Sequence, residues 1–359
     1  MKRSIIYATR APVPFPSASS INIVQTCQSF GGMGCEVLLY CDWKPWRLAT
    51  QLYSINNYYG LGNVKFKSTR KPMIYGLYYK YLIKMAKTKE SIVFTRDVET
   101  AIVTTSNNIR TILEVHSLCD EKKIRTLLNT KYTITIICIT HKLSQHYNFG
   151  DTLNNVTVLP DPVNPKRFEG TQFTENLECG YVGSCFRGKG LFEIVAPLAL
   201  KKKDAKIHVA GINNKRFHEE YNKCNKTPDN LKLYGRVKPK HVPAFFTKFS
   251  IALLPNQPEI ILPNGADIGS YTSPIKLFEY MAAGKAIIAS DVPVLKEVLK
   301  DQHNALLVKH DDVQEWANAI TRLKCDIGLA KRLGMQAKRD VHEMYSYDIR
   351  CEKILDLID

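Results

Sequence analysis

The sequence predicts an α/β protein built from two doubly wound halves. Three observations carry this expectation. Short apolar strands alternate with amphipathic stretches, the pattern of a parallel sheet covered by helices. The alternation breaks at Pro160-Asp161-Pro162-Val163-Asn164-Pro165 and then starts again. A length of 359 residues suits two domains better than one, and an apolar fraction of 45% is ample for two cores.

In the first half the apolar runs predict strands at 4–8, 36–40, 91–95, 111–115 and 133–139, with a short edge strand at 155–159. A helix over 21–30 is expected to stop at Gly31-Gly32, a common C-terminal signal. The prolines of 160–165 forbid helix and mark the linker. The second series predicts strands at 178–183, 206–210, 231–234, 251–254 and 286–289. From about Ile327 onwards, Leu329, Leu333 and Ala337 fall near helical spacing. The expected division is 1–165, 166–335 and a C-terminal helical segment, 336–359, packing back on the first domain. Two such halves facing one another would form a cleft between the carboxyl ends of their strands, where open α/β sheets bind ligands.

Composition narrows the class. Met1-Lys2-Arg3 precedes an apolar run that Arg10 and Pro12 end too early for a secretory signal. No apolar run approaches the ~20 residues that span a bilayer. Ten cysteines are spread along the chain without a C-x-x-C pair or a zinc-type spacing. Cys138 sits inside an apolar strand, where a thiol is a small hydrophobe. A soluble chain in a reducing cytoplasm is expected.

The net charge of +16 is uneven: residues 1–150 carry 20 Lys/Arg against 8 Asp/Glu, and the remainder 30 against 26. A basic first half favours an anionic partner, whether a lipid surface, a phosphorylated acceptor or a nucleic acid; a solubilising surface is the plainer reading. Within 65–90, Tyr75, Tyr78, Tyr79, Leu82 and Met85 share one helical face, while Lys80, Lys84 and Lys87 share another. Such a helix can lie in a membrane interface or pack its tyrosines on the sheet. The packing reading is preferred.

The most informative stretch runs from Tyr271 to Ser290: Y-T-S-P-I-K-L-F-E-Y-M-A-A-G-K-A-I-I-A-S. Ser273-Pro274 is a helix start in which the hydroxyl can cap and the proline suits the first turn. The N–H groups and dipole of that helix end form a site for a diphosphate. Glu279, one to two turns on, can accept from two ribose hydroxyls. This stretch resembles the donor signature of family-4-type retaining glycosyltransferases of the GT-B fold, in the variant S-P-x-K-L-x-E-Y-M-A-x-G-K.

The resemblance implies a nucleotide-sugar donor held by the second domain at Ser273, Pro274, Ile275, Lys276, Leu277 and Glu279, with the first domain taking the acceptor. Gly183-Ser184-Cys185-Phe186-Arg187-Gly188-Lys189-Gly190 follows a strand and resembles the family's glycine loop, whose lysine contacts the donor phosphates. Lys189 matches that lysine. Many members place arginine where this chain has Ser184, and Arg187 is the candidate to supply that charge. Tyr234-Gly235-Arg236-Val237 resembles the strand-end turn beside the donor base. Glu114-Val115-His116-Ser117 resembles the strand end whose histidine faces the reacting sugar, which makes His116, Lys189 and Arg187 the catalytic candidates. Ser19, Ser20 and Asn22 stand in a small-residue loop that admits acceptor or diphosphate.

One departure concerns the Glu-x7-Glu pair of many members: eight residues before Glu279 stands Tyr271, and Glu259 or Asp267 is the possible substitute. The resemblance further implies transfer with retention of anomeric configuration to a glycan or lipid-linked acceptor, in the synthesis of cell-surface polysaccharide or glycoconjugate. No Asp-x-Asp motif occurs, so neither metal nor cofactor is expected, and the site is cytoplasmic, with an anionic membrane as a further partner. Two rival readings are a GT-B nucleotide-sugar epimerase and a basic nucleic-acid-binding protein on the same scaffold. The lack of a clear nucleic-acid-binding motif argues against the latter.

Overall fold

The computed structural model describes residues 3–11, 13, 17–41, 65–68, 75–128, 134–147, 156–175, 177–213, 217, 219, 221 and 227–358. They form two compact units, Met1–Pro162 with Tyr347–Asp359, and Val163–Ser346.

The first unit contains β1 (Ser4–Thr9), β2 (Glu36–Cys41), β3 (Lys67–Ser68), β4 (Ile92–Thr95), β5 (Thr111–Val115), β6 (Ile134–Cys138) and β7 (Val156–Val158). All pair in parallel, in the order β3-β2-β1-β4-β5-β6-β7. Six of the seven lie within a residue of the expected bounds. The two-residue β3 left no periodicity to read. Strand order reverses between β1 and β4, which makes their carboxyl ends the switch point.

Helix Ala18–Gly32 is capped by Ser17, whose hydroxyl accepts from the Ser20 N–H at 3.1 Å. It is longer than expected at both ends. Gly31-Gly32 forms its last turn and is not its stop, because Gly31 is selected by close approach: a Cβ there would lie 2.1 Å from the Lys65 carbonyl. The helix Tyr75–Thr88 settles its two readings. Tyr78, Leu82 and Ala86 are buried with Ile6, Ala8, Tyr40 and Val93, Tyr79 and Met85 pack beside them, and Tyr40 Oη donates to the Tyr78 carbonyl. The tyrosine face is core, and Lys80, Lys84 and Lys87 are exposed.

The second unit contains β8 (Cys179–Val182), β9 (Ile207–Ala210), β10 (Leu231–Leu233), β11 (Ile251–Leu254), β12 (Ala286–Ser290) and β13 (Leu306–Val308). The parallel order is β10-β9-β8-β11-β12-β13, with its switch point between β8 and β11. Strand period two shows directly in the packing. Ile251, Leu253, Ala286 and Ile288 join one apolar cluster, while Ala252, Leu254, Ile287 and Ala289 join another. Each fully buried Ile or Leu of these strands contributes about 1.5–3 kcal/mol relative to exposure. The short β13 was not anticipated.

The C-terminal segment divides later than expected. Ile327–Met344 is one continuous helix whose Leu329, Leu333, Ala337 and Val341 are buried in the two clusters of the second unit. Only Tyr347–Asp356 joins the first unit, where Cys351, Ile354 and Leu355 pack with Ile23 and Cys27. The observed boundaries are therefore 162/163 and 346/347, where the sequence placed them at 165/166 and 335/336. Among the described residues no helix is long and apolar enough to cross a membrane, and the nine cysteines are unbonded.

Candidate active site

In the second unit the carboxyl ends of the strands gather the motifs. Gly183 leaves β8, its N–H donating to the Ala210 carbonyl at the end of β9, and the Gly211 N–H donates to Gly235 beyond β10. A pocket of about 380 Å³ is lined by Ile212, Asn213, Gly235 and Arg236. Arg236 is exposed, while Val237 is half-buried and packs on the core.

The glycine loop is stitched to the segment after β11. Gln257 N–H donates to the Gly188 carbonyl at 2.8 Å and Ile261 N–H to the Arg187 carbonyl at 3.0 Å. Gly188 has φ +84°, and a Cβ there would lie 1.8 Å from the Glu259 carbonyl. The loop's own donors are partly spent: Gly188 N–H goes to Glu193 Oε1 at 2.6 Å and Lys189 N–H to the Phe186 carbonyl at 2.9 Å. At these two residues the loop offers no free backbone N–H. Its charge is the Lys189 ammonium, which burial pushes down to about 8. No carboxylate pairs with it among the described residues. Gly190, also at positive φ, opens a turn of π-helix, Leu191–Val195, a form found often at functional sites. Ser184 turns its carbonyl to Tyr181 Oη at 2.7 Å. Arg187 is exposed and lies 3.9 Å from Glu259.

The helix Ile275–Ala282 begins one residue later than Ser273-Pro274 predicts. Pro274 is itself the N-cap residue, in extended conformation, and its ring makes no capping bond. Leu277 N–H is taken by the Pro274 carbonyl at 2.9 Å, and the N–H groups of Ile275 and Lys276 have no helical partner. The Leu277 side chain is core, so that position can contribute backbone alone. Glu279 is 3% exposed and forms an ion pair with Lys276. Tyr280 Oη accepts from the Val182 N–H at 2.7 Å, tying this helix to the strand that delivers the glycine loop.

The loop between β11 and this helix is a small hairpin. Asp267 Oδ1 accepts from Ile260 N–H and Gly269 N–H, each at 2.8 Å, and Tyr271 Oη donates to the Asp267 carbonyl at 2.6 Å. Asp267 is thus a turn residue, and Glu259 is the exposed acid beside the glycine loop.

In the first unit the switch point holds a buried charge cluster. Glu114, on β5, is fully buried; its Oε2 lies 2.9 Å from Arg96 Nε and 3.2 Å from His116 Nε2, and its Oε1 lies 2.5 Å from Arg350 Nη2. Burial alone would raise this carboxyl, but Arg350 and Arg96, with His116, hold it well below the usual carboxylate range. His116 Nδ1 lies 3.9 Å from Asp161 Oδ1. Asn22 is spoken for on both sides, donating to Asp161 at 2.6 Å and accepting from Thr26 at 3.1 Å, so it organises the site from within. Ser20 is buried; Ser19 is half-buried, its Oγ 3.4 Å from Arg96 Nη1. Sequence reasoning missed Arg96, Asp161 and Arg350. A charged residue directly after β4 was a usable signal for Arg96, and none marked Arg350.

Residues 178–326 match the family described as Glycosyl transferases group 1. An uncharacterized glycosyltransferase of Methanocaldococcus jannaschii is 24% identical over 252 residues, 64% of this chain and 61% of that protein. The chain thus spans about three-fifths of the length of this curated relative. Among solved structures, sucrose-phosphate synthase of Thermosynechococcus elongatus superposes with TM-score 0.72 at 14% identity, covering 99% of this chain and 98% of that one. A glycosyltransferase of Rickettsia africae gives 0.74 at 14%, covering 99% and 97%. HepE of Anabaena, solved with UDP, gives 0.74 at 11%, covering 100% and 99%. Residues 178–326 of the second unit thus resemble the Glycosyl transferases group 1 family, and the chain has the GT-B fold of these neighbours.

Proposed function

We propose that this protein is a retaining, metal-independent glycosyltransferase that moves a sugar from a nucleotide sugar to a glycan or lipid-linked acceptor in cell-surface polysaccharide or glycoconjugate synthesis. The observation that carries the reading is the buried Glu279 carboxylate, one turn into the helix Ile275–Ala282, tied through Tyr280 and Val182 to the strand that delivers Lys189. A carboxylate in that setting holds paired hydroxyls of a ribose, and the helix end with an ammonium holds a diphosphate. The HepE structures with UDP and with UDP-glucose support a nucleotide-sugar donor.

The roles divide between the units. In the second, the Ile212–Asn213 and Gly235–Arg236 pocket takes the base, Glu279 the ribose, and the Ile275–Lys276 N–H groups with Lys189 the diphosphate. Negative charge builds on the leaving diphosphate as the glycosidic bond opens, and Lys189 and the helix end stabilise it without a metal. Arg187 adds charge at the loop edge, and the exposed Glu259 beside that loop is the acid that contacts the transferred sugar. In the first unit His116, backed by Glu114 and Asp161, serves the reacting sugar or the acceptor. The acceptor hydroxyl attacks from the face the diphosphate leaves, so configuration is retained. The protein works in the cytoplasm, against an anionic membrane face when the acceptor is lipid-linked.

A thermal-shift screen of nucleotide sugars tests this. One donor at saturating concentration should raise the unfolding temperature by mass action, and purified protein with that donor should release nucleoside diphosphate in the presence of acceptor. A screen in which no nucleotide or nucleotide sugar binds would sink the proposal.

A further inference from the structure

Arg350 lies in the last helix and is 3% exposed. Its Nε donates to the Pro160 carbonyl at 3.0 Å and its Nη2 to the Leu159 carbonyl at 3.2 Å; Nη2 also lies 2.5 Å from Glu114 Oε1. The two sides of this grip lead to different nitrogens of the His116 ring. Glu114 presents its other oxygen to Nε2, and Asp161, the residue after Pro160, lies on the Nδ1 side. One guanidinium therefore touches the carboxylate on one side of the imidazole and the backbone that leads into the acid on the other.

We propose that Arg350 is a positioning residue that holds His116 in one orientation and one tautomer, through Glu114 on one side and the Leu159–Asp161 chain exit on the other. This rests on the reading of His116 as an active-site residue. Arg350 is not the sole cation on Glu114, since Arg96 Nε lies 2.9 Å from it. Docking of the helix does not require it either: Cys351, Ile354 and Leu355 are buried in the apolar cluster, and Ser29 Oγ donates to Asp348 at 2.6 Å. What the planar fork adds is simultaneous grip on two carbonyls and a carboxylate, a geometry an ammonium cannot reproduce.

The test uses the full chain as Arg350→Met, Arg350→Lys, Glu114→Gln and His116→Ala, with ¹⁵N spectra of the imidazoles, donor affinity by calorimetry and turnover. Arg350→Met should stay folded and keep donor affinity within about twofold, because the donor residues lie in the other unit. It should shift the His116 ring nitrogens towards a tautomer mixture and lower turnover roughly 10- to 100-fold, the scale of a small misplacement of a reacting group. Arg350→Lys should fall between. Glu114→Gln should move the same ring signals, and the double variant should be no worse than the poorer single one. Unmoved His116 signals in folded Arg350→Met overturn the proposal. If that variant does not fold, unmoved signals in both Arg350→Lys and Glu114→Gln overturn it. The two readings fail separately: a silent His116→Ala with a displaced ring in Arg350→Met removes the role of His116 and leaves the positioning relation, and an inactive His116→Ala with an undisturbed ring does the reverse.

Discussion

Lys276 and Glu279, three residues apart on the helix Ile275–Ala282, form an ion pair in which the carboxylate is buried and the lysine side chain is 28% exposed. The pair gives the buried acid a partner in the free protein. A ribose hydroxyl pair can then add to the carboxylate without first desolvating it. Glu279→Ala should weaken nucleotide-sugar binding by about 1–3 kcal/mol, the scale for a charged hydrogen-bond partner, with the protein still folded. Lys276→Ala should cost less, because it frees an acceptor that the ligand can use. Calorimetry on the two variants checks both, and equal affinity for Glu279→Ala and wild type removes the ribose role.

The sites were legible to different depths. The donor motif could be read because its residues are contiguous: Pro274, Lys276 and Glu279 lie on one helix, and local sequence fixes their spacing. The apolar strands were equally readable, down to the three-residue Val156–Val158 and Leu231–Leu233, whereas the two-residue Lys67–Ser68 had no period to show and Leu306–Val308 was passed over. The helix start was off by one residue because Pro274 takes the N-cap position and not the first helical one. The cluster around Glu114 was hidden for a different reason. Its members come from β5, the end of β4, the chain after β7 and the last helix, and no local pattern joins positions that only the fold assembles.

Lys189 makes a signed prediction with pH. Burial depresses its ammonium from an ordinary lysine value to about 8. A bound diphosphate favours the charged form, so donor binding should take up a proton above about pH 8, and affinity should fall as pH rises through that value. Stability of the free protein should move the other way. Between about 8 and the unfolded lysine value the unfolded chain holds more protons, so stability rises with pH there. Lys285, buried and also lowered to about 8, shares the stability trend, so the assignment rests on binding. In Lys189→Met the proton uptake on donor binding should vanish, and turnover should drop more than affinity. Calorimetry in buffers of different ionisation enthalpy reads the uptake, and uptake that persists in the variant refutes the assignment. Arg187→Ala serves as the comparison: a loss of turnover beyond that of an exposed ion pair with Glu259 identifies a donor contact.

Gly188→Ala tests the seam between the glycine loop and the segment after β11. The new Cβ would meet the Glu259 carbonyl at 1.8 Å, with the residue already at φ +84°. Backbone must move on one side, at a cost of roughly 1–3 kcal/mol or more, and Lys189 moves with it. Both the unfolding midpoint and donor affinity should fall. Gly32→Ala is the control, since a Cβ there meets nothing within 4 Å and lies at a helix end, so it should be neutral or stabilise by up to ~1 kcal/mol. A Gly188→Ala protein as stable as wild type would show that the loop tolerates displacement.

Membrane attachment, if it occurs through the helix Tyr75–Thr88, must be electrostatic. The tyrosine side that could have inserted is committed to the core through Tyr78, Leu82 and Ala86, which leaves Lys80, Lys84 and Lys87 as the outward face, with Leu77 and Tyr81 beside them. A lysine near an anionic surface is worth about 1 kcal/mol, or roughly fivefold in partitioning. Changing all three to Gln should therefore reduce co-sedimentation with anionic vesicles by about two orders of magnitude at low salt, and leave turnover on a water-soluble acceptor intact. Because the Debye length shrinks from ~10 Å at 0.1 M to ~3 Å at 1 M, wild-type binding should disappear at high salt. Binding that survives 1 M salt would require apolar insertion, which this buried face does not allow. Wild type that binds neutral and anionic vesicles alike, or neither, removes the membrane and makes a soluble glycan the acceptor. A triple variant that binds as well as wild type moves the contact to another part of the basic first unit.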